Sequence, residues 1–445
     1  MYKKSIIKYF RTVNKGSKKP FHKKGSPYLI KQAVFIGTVC LIISLVSSCA
    51  FITLKNDLET MNKHSIIQGQ IKASASDSTA PYIITAFDSN NRIIKYNLIK
   101  NKSDYYILQL PKDKVYKISI FKDIDRNSAY SPNEPADYWL NKNGQILYSN
   151  DTIIHNFNIS EKKIIPKDLR LNPDNTLKIN NPEFKVVIGE ISNLENEQFS
   201  KNYGSIGLWQ PFEAFRKYGI GVYFREKYDI NKTPVLLIYG MGGFAQSWRP
   251  LISKLDKNKF QPWIYQYPSG YSIKSSAKAL KVIIKQLKDK YHFKKIYVVG
   301  HSMGGLVAAH FIKLINSDPK TSDIVKLIIT ISTPWAGDKD AEWGQKAPIT
   351  IPCWNDLVPS SAFIKSLSPS IFKKAPYYLL FTYKGDRKPF RINNDTTISI
   401  ASQLELNFQL KAKQVIGFND HHAIVLNDDT AINIIDSILN QTIKE

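Results

Sequence analysis

Cysteine is scarce in this chain and poorly placed for cross-linking. Only Cys40, Cys49 and Cys353 occur in 445 residues. Two of them lie in one apolar stretch near the start, so the remainder has a single thiol and no internal disulfide framework. No Cys-x-x-Cys pair or Cys/His cluster is present, which excludes a thiolate zinc site. Acidic residues are also short: 37 Asp and Glu stand against 62 Lys and Arg, a formal net charge of +25. The excess is uneven, since residues 1–31 hold nine Lys, one Arg and no acid. Elsewhere the positive charge is dispersed, with no Arg-rich run and no basic-aromatic motif, which argues against nucleic-acid binding. A hydrophobic share of 43% and a charged share of 22% exclude wholesale disorder and a polytopic membrane protein.

Long hydrophobic runs are rare, with one exception. Ala33 to Leu54 carries no charge and follows the basic tail. By the positive-inside rule the tail stays in the cytoplasm and the bulk is exported. Two readings compete. In one, Ala33–Val46 is a signal-peptide core, and Val46-Ser47-Ser48-Cys49 resembles a bacterial lipobox whose Cys49 is lipidated. In the other, the whole stretch is an uncleaved anchor helix. Both place the folded mass outside the cytoplasmic membrane, in the cell envelope and tethered to a bilayer. The organisation expected is 1–54 as tail and signal or anchor, 55–160 as a β-sandwich, 161–218 as a linker with Pro166, Pro173 and Pro182, and 219–445 as an α/β domain.

Strand signals fill the second of these regions. Tyr82–Phe87 and Tyr105–Leu110 are β-branched and aromatic runs, and Val115–Ile120 alternates, with Tyr116, Ile118 and Ile120 on one face. A small antiparallel sandwich is expected, similar to the carboxypeptidase regulatory-like and prealbumin-like modules that precede many exported enzymes. Within it, Asp123, Asp125, Asn127 and Glu134 take positions 1, 3, 5 and 12 of a twelve-residue loop. That is the spacing of the oxygen ligands in a calcium loop. Ser128 stands where such loops carry glycine, and the loop follows a strand, so a structural Ca²⁺ site and a solvated acidic turn are both open.

The chemistry lies further on. Lys295–Val299 is an apolar β-branched run, Gly300-His301-Ser302-Met303-Gly304-Gly305 ends it, and Leu306–Asn316 has helical spacing. Strand, Gly-x-Ser-x-Gly, helix is the setting of a nucleophile elbow. The turn is tight, so Gly300 and Gly304 must be nearly free of side chain, and the Met303 amide points at a developing oxyanion from a helix N-terminus. Upstream, the strand Val235–Tyr239 runs into Gly240-Met241-Gly242-Gly243.

These residues resemble the α/β-hydrolase lipases and esterases. The family's His-Gly-x-x-Gly is matched at Gly240 and Gly243, with Tyr239 in place of the histidine. The resemblance implies that the Met241 amide is the second oxyanion donor. Ser332-Thr333-Pro334-Trp335-Ala336-Gly337 is also lipase-like. The fold implied is a mostly parallel sheet flanked by helices, with the order serine, acid, histidine. Two histidines lie late enough, His421 and His422, and the apolar residues after them fit His422 best. His301 and His310 are expected to be structural. Two acids compete. Asp395 sits in a turn similar to the lipase Asp-Gly-x-Val-Pro-x-x-Ser, with Thr396 and Ser399 replacing the glycine and proline and Ser402 matching; Asp386 comes after the strand Tyr378–Tyr383. Asp395 fits better. Ala341–Ala375, with apolar residues such as Trp343, Trp354 and Phe363, reads equally as a lid or as ordinary core packing, and Cys353 as a packing residue.

The expectation is a membrane-tethered serine hydrolase of acyl or lipid esters, without a cofactor for catalysis. An acyltransferase with the same triad and a non-catalytic envelope module are the rival expectations.

Overall fold

The structure, a computed structural model, describes residues 52–73, 80–99, 105–112, 114–140, 144, 146–148, 152–171, 185–384 and 393–444. The basic tail, Cys40, Cys49 and Asp386 lie outside the described residues. Among the described residues no helix is long and apolar enough to cross a membrane. Thr53–Glu445 form one unit, and it contains all three sheets seen among the described residues.

Nine strands build the first part: β1 (His64–Ala73), β2 (Tyr82–Phe87), β3 (Ile93–Ile99), β4 (Tyr105–Pro111), β5 (Lys114–Lys122), β6 (Ala136–Trp139), β7 (Ile146–Tyr148), β8 (Thr152–Ile154) and β9 (Phe157–Ile159). They form two sheets, β4-β1-β8 with β9 also on β1, and β3-β2-β5-β6 with β7 also on β5. Tyr116, Ile118 and Ile120 turn one face of β5 into the core between the sheets, where they meet Ile67, Ile84 and Leu108. Each such fully buried aliphatic side chain contributes about 1.5–3 kcal/mol. The sandwich is not wholly antiparallel, because β8 and β9 both run parallel to β1.

The second part is an eight-stranded sheet: β10 (Val186–Ile191), β11 (Ile220–Phe224), β12 (Thr233–Ile238), β13 (Phe260–Gln266), β14 (Ile296–His301), β15 (Val325–Ile331), β16 (Tyr377–Thr382) and β17 (Gln414–Phe418). The order is β10-β11-β13-β12-β14-β15-β16-β17. Strands β12 to β17 run parallel, while β10 and β11 run together in the opposite sense. The parallel strands are apolar along their length because both faces are covered. Ile296 and Val298 of β14 point into one core and Tyr297 and Val299 into the other. The helices Ile273–Tyr291 and Met303–Asn316 close the first face, and Asp429–Lys444 closes the second. This is the α/β-hydrolase fold with a β-sandwich before it.

Two boundaries differ from the expectation. Residue 219 does not open the α/β domain, since β10 and the helices Lys201–Trp209 and Pro211–Tyr218 already belong to its sheet and core. Short elements in a polar, proline-punctuated stretch leave too little periodicity to read. The second boundary is at the other end. Residues 53–62 are helical, and Leu54 and Leu58 are buried in the main core of the α/β domain, so the folded unit already includes Leu54.

The same helix supplies a cap from a distance. Gln210 makes no side-chain cap bond to the helix Pro211–Tyr218. Asp57 takes that place, accepting the Phe212 and Glu213 amides at 3.0 and 2.8 Å. Those amides are the unpaired donors of a helix first turn. Asp57→Ala is expected to cost about 1–2 kcal/mol of stability. Urea unfolding measures it, and an unchanged midpoint would refute the cap.

Candidate active site

Four strand ends at one edge of the parallel sheet converge on Ser302. Pairing of Ile238 with Gly300 sets the end of β12 beside the end of β14. Ser302 holds φ 56° and ψ −131°, a backbone conformation that L side chains rarely adopt. Its neighbours make the turn possible. A Cβ on Gly300 would stand 2.8 Å from the Gly304 carbonyl oxygen, and one on Gly304 would stand 2.2 Å from that of Ile238. Gly305, which lies outside the Gly-x-Ser-x-Gly pattern, is equally crowded, because a Cβ there would strike Thr333 Oγ1. The Ser302 amide donates to the Ile331 carbonyl at 2.8 Å, fixing the turn to β15.

Ser302 Oγ lies 2.8 Å from His422 Nε2, and His422 Nδ1 lies 2.6 Å from Asp395 Oδ2. All three residues are buried. His422 comes after β17 and Asp395 after β16, which are neighbours in the sheet, and Ser302 comes after β14, so residues 120 and 27 positions apart meet at one edge of the sheet. Asp395 accepts further hydrogen bonds from Thr382 Oγ1 at 2.6 Å, Gln403 Nε2 at 3.1 Å, and the Thr397 and Ile398 amides at 3.0 and 2.7 Å. Burial raises the carboxyl, but the His422, Thr382 and Ile398 bonds outweigh it and hold its pKa below the ordinary value. The acid is thus held ionised, which is the form that orients a neutral imidazole with its proton on Nδ1.

The turn that carries Asp395 explains its own sequence. Thr396 sits at φ 82°, where the lipase pattern has glycine. Ser402 Oγ donates to the Gly337 carbonyl at 2.5 Å, so the acid's turn is tied to the Ser332–Gly337 segment. Thr382 and Gln403 carry no signal in the sequence, because they reach Asp395 only through the fold. His421 points elsewhere, its Nδ1 lying 3.4 Å from Thr396 Oγ1. His310 packs its ring edge-on to Phe363 at 5.7 Å, and burial pushes its pKa down to about 4.

The segment after β12 passes directly over the nucleophile: a Cβ on Gly240 would lie 2.6 Å from Ser302 Cβ. The Met303 amide is the first of the elbow helix. An amide at that position has no partner within its own helix. Tyr239 replaces the family's histidine and orders this segment in its own way. Its hydroxyl donates to the Tyr267 carbonyl at 2.6 Å and accepts the Tyr267 amide at 2.8 Å. The Tyr267 hydroxyl returns a bond to the Tyr239 carbonyl at 2.6 Å, and the rings stack with centroids 4.9 Å apart. Ser269 Oγ accepts the Gly242 amide at 2.9 Å.

Residues 341–375 are not an open apolar flap. Ile351, Cys353, Leu357 and Phe363 are buried in the main core, and of the segment's large apolar side chains only Trp343, 73% exposed, stands clearly outside. The segment is fastened to the body by the Cys353 amide to the Gly270 carbonyl at 3.1 Å and by Asp356 Oδ2, which accepts the Ile273 amide at 2.7 Å. Burial holds the Cys353 thiol above its ordinary pKa. Trp354 reaches the site, donating Nε1–H to Met241 Sδ at 3.3 Å and meeting Trp209 edge-on at 5.9 Å.

In the β-sandwich, carboxylate oxygens of Asp123, Asp125 and Glu134 come within 4.8 Å of one another. Burial raises the pKa of both Asp123 and Glu134, and neighbouring carboxylates add to it. Asn127 bonds to Asp125 Oδ2 at 2.8 Å and to the Ala129 amide at 2.7 Å. Ser128 holds φ 62°, the conformation that glycine favours at that loop position. This is a hard-oxygen donor set of the kind Ca²⁺ takes.

Residues 269–350 match a family described as "Alpha/beta hydrolase of unknown function (DUF915)". No curated protein matches the sequence. Among solved structures, the chain is similar to a lipase, BlEst2, from Bacillus licheniformis in mature form, at 16% identity and TM-score 0.38, over 48% of this chain and 94% of that one. It is similar to the lin2722 gene product from Listeria innocua at 18% identity and TM-score 0.35, over 47% and 94%. Est1E from Butyrivibrio proteoclasticus covers 51% of this chain and 97% of its own, at 13% identity and TM-score 0.36.

The glycine contacts give a test of the elbow. Gly304→Ala is expected to destabilise the domain by about 3 kcal/mol through overpacking. Gly207→Ala, whose Cβ would find no atom closer than 3.5 Å, should be neutral or stabilising by up to about 1 kcal/mol. Thermal unfolding compares them, and equal melting temperatures would contradict the packing described.

Proposed function

We propose that this α/β hydrolase cleaves carboxylic esters of acyl or lipid type while tethered to a membrane by the residues before the folded unit. The chain of hydrogen bonds from Ser302 Oγ through His422 to Asp395, 2.8 and 2.6 Å long, carries the reading. Nucleophile, base and orienting acid within hydrogen-bond reach are what acyl transfer to serine needs.

Ser302 Oγ attacks the ester carbonyl as His422 Nε2 takes its proton. The carbonyl oxygen becomes an oxyanion beside the Met241 and Met303 amides. His422 passes the proton to the leaving alkoxide, and the alcohol departs from an acyl-enzyme on Ser302. Water then attacks the acyl carbonyl as His422 takes its proton, and His422 passes that proton to Ser302 Oγ as the ester bond to the enzyme breaks and the carboxylic acid leaves. Asp395 stays ionised throughout and stabilises the imidazolium that forms on His422. No cofactor enters this sequence.

The acyl class is supported by what surrounds the oxyanion segment. Met241 follows the Gly240 that abuts Ser302, and its side chain packs with Trp354, which meets Trp209 edge-on, so apolar groups gather along this segment. The tether is supported by the basic tail and the uncharged stretch after it, held either through Cys49 or as a helix. In the same reading the Asp123–Glu134 loop is a structural Ca²⁺ loop without part in the chemistry.

Initial rates on p-nitrophenyl esters of short and long acyl chains test the reaction. Ser302→Ala and His422→Ala are each expected to lower kcat by about 10⁵–10⁶-fold, and Asp395→Asn by about 10⁴-fold. Activity retained by Ser302→Ala would remove Ser302 from the mechanism. A separate measurement tests the loop. Ca²⁺ at a hundredfold excess over its Kd should add about 2.7 kcal/mol of stability. Glu134→Gln should abolish that gain, and a melting temperature indifferent to Ca²⁺ and to chelator would refute the site.

A further inference from the structure

The residue before the nucleophile in the chain also grips the base. His301 is the last residue of β14, paired with Ile331 of β15, and its side chain is buried. Strand alternation sends it to the face that carries Val299, where the His422 loop and Val425 pack. His301 Nε2 lies 2.8 Å from the main-chain carbonyl oxygen of His422, and the two rings stand 5.0 Å apart, tilted by 44°. A carbonyl only accepts, so Nε2 carries the proton and donates it.

This bond completes the hold on His422. Its amide donates to the Asp395 carbonyl at 2.9 Å, its Nδ1 to Asp395 Oδ2 at 2.6 Å, and its Nε2 faces Ser302 Oγ at 2.8 Å. The carbonyl is the fourth polar group, and His301 holds it. A closed ring results: Ser302 is joined to His301 through the backbone, His301 to the His422 carbonyl, and the His422 ring back to Ser302. Nucleophile and base are thus set in place by adjacent residues. Burial, helped by the charge of His422, pushes the His301 pKa down to about 3, so its ring is neutral beside the imidazolium that forms on His422.

We propose that His301 is a positioning residue, which fixes the distance of the His422 imidazole from Ser302 by donating Nε2–H to the His422 main-chain carbonyl. The proposal rests on Ser302, His422 and Asp395 acting as a triad. Misplacing a reacting group by about 1 Å can cost about 100-fold in rate. Leucine at 301 removes the donor, whereas glutamine can present an amide N–H to the same carbonyl.

The test compares the full chain with His301→Gln, His301→Leu and a Ser302→Ala blank. The probe is a fluorophosphonate, whose reaction with Ser302 needs the base but no natural substrate. Rates are taken per folded molecule, with melting temperature as the folding control. His301→Leu should label about 10–100-fold more slowly, and His301→Gln should recover most of that loss. On p-nitrophenyl esters the loss should fall on kcat, with KM little changed. A His301→Leu rate equal to the wild type, or a His301→Gln rate no faster than His301→Leu, would overturn the proposal. A wild-type chain that does not label at all would overturn the triad itself.

Discussion

Ser302 occupies a backbone conformation that an L residue resists, at φ 56° and ψ −131°. Such strain costs about 1–3 kcal/mol and persists only where the surroundings leave no alternative. Here the surroundings are explicit. β12, β14 and β15 converge around the turn, the Ser302 amide is bonded to Ile331, and glycines at 240, 300, 304 and 305 let backbone approach where any Cβ would collide. The strain lifts the hydroxyl above the sheet edge and points it toward the ends of β16 and β17. The placement of that hydroxyl dictates the remainder of the site.

The other members are arranged by the same topology. In a parallel sheet the carboxyl ends of neighbouring strands open together, so loops far apart in sequence face one crevice. β12 delivers the Gly240–Met241 segment, β16 the Asp395 turn and β17 His422. Each loop is fastened by polar groups that have no role of their own in the reaction. Thr382 and Gln403 fix the acid, Ser402 ties its turn to Gly337, and a reciprocal Tyr239–Tyr267 pair sets the approach to Gly240. Satisfying these groups inside a buried site makes its geometry unique, since a half-satisfied network would be costly.

What the sequence made legible was local. A strand, a glycine-framed serine and a helix lie within about twenty consecutive residues, and their meaning needs no distant partner. His422 and Asp395 could be singled out because short patterns surround them. Thr382, Gln403 and Tyr267 could not, since their contacts arise only when strands distant in sequence are brought together. Tyr239 shows the limit clearly: its substitution for histidine leaves the loop's order open in sequence, whereas the fold supplies Tyr267 as its partner. Residues 341–375 stayed open between a lid and core packing, because apolar side chains in a loop-like stretch have the same composition whether they form a flap or pack inward. The start of the α/β domain was hidden because β10 lies in a polar, proline-punctuated stretch where it does not stand out.

In the proposed reaction Ser302 carries the acyl group between its two transfers. Acid-quenching the enzyme during the first turnover of a p-nitrophenyl ester, with peptide mass mapping of the product, checks this. The peptide that contains Ser302 should gain the mass of the acyl group, in an amount equal to the initial burst of p-nitrophenol. Turnover with no acylated peptide, or with the acyl group on another residue, would contradict it.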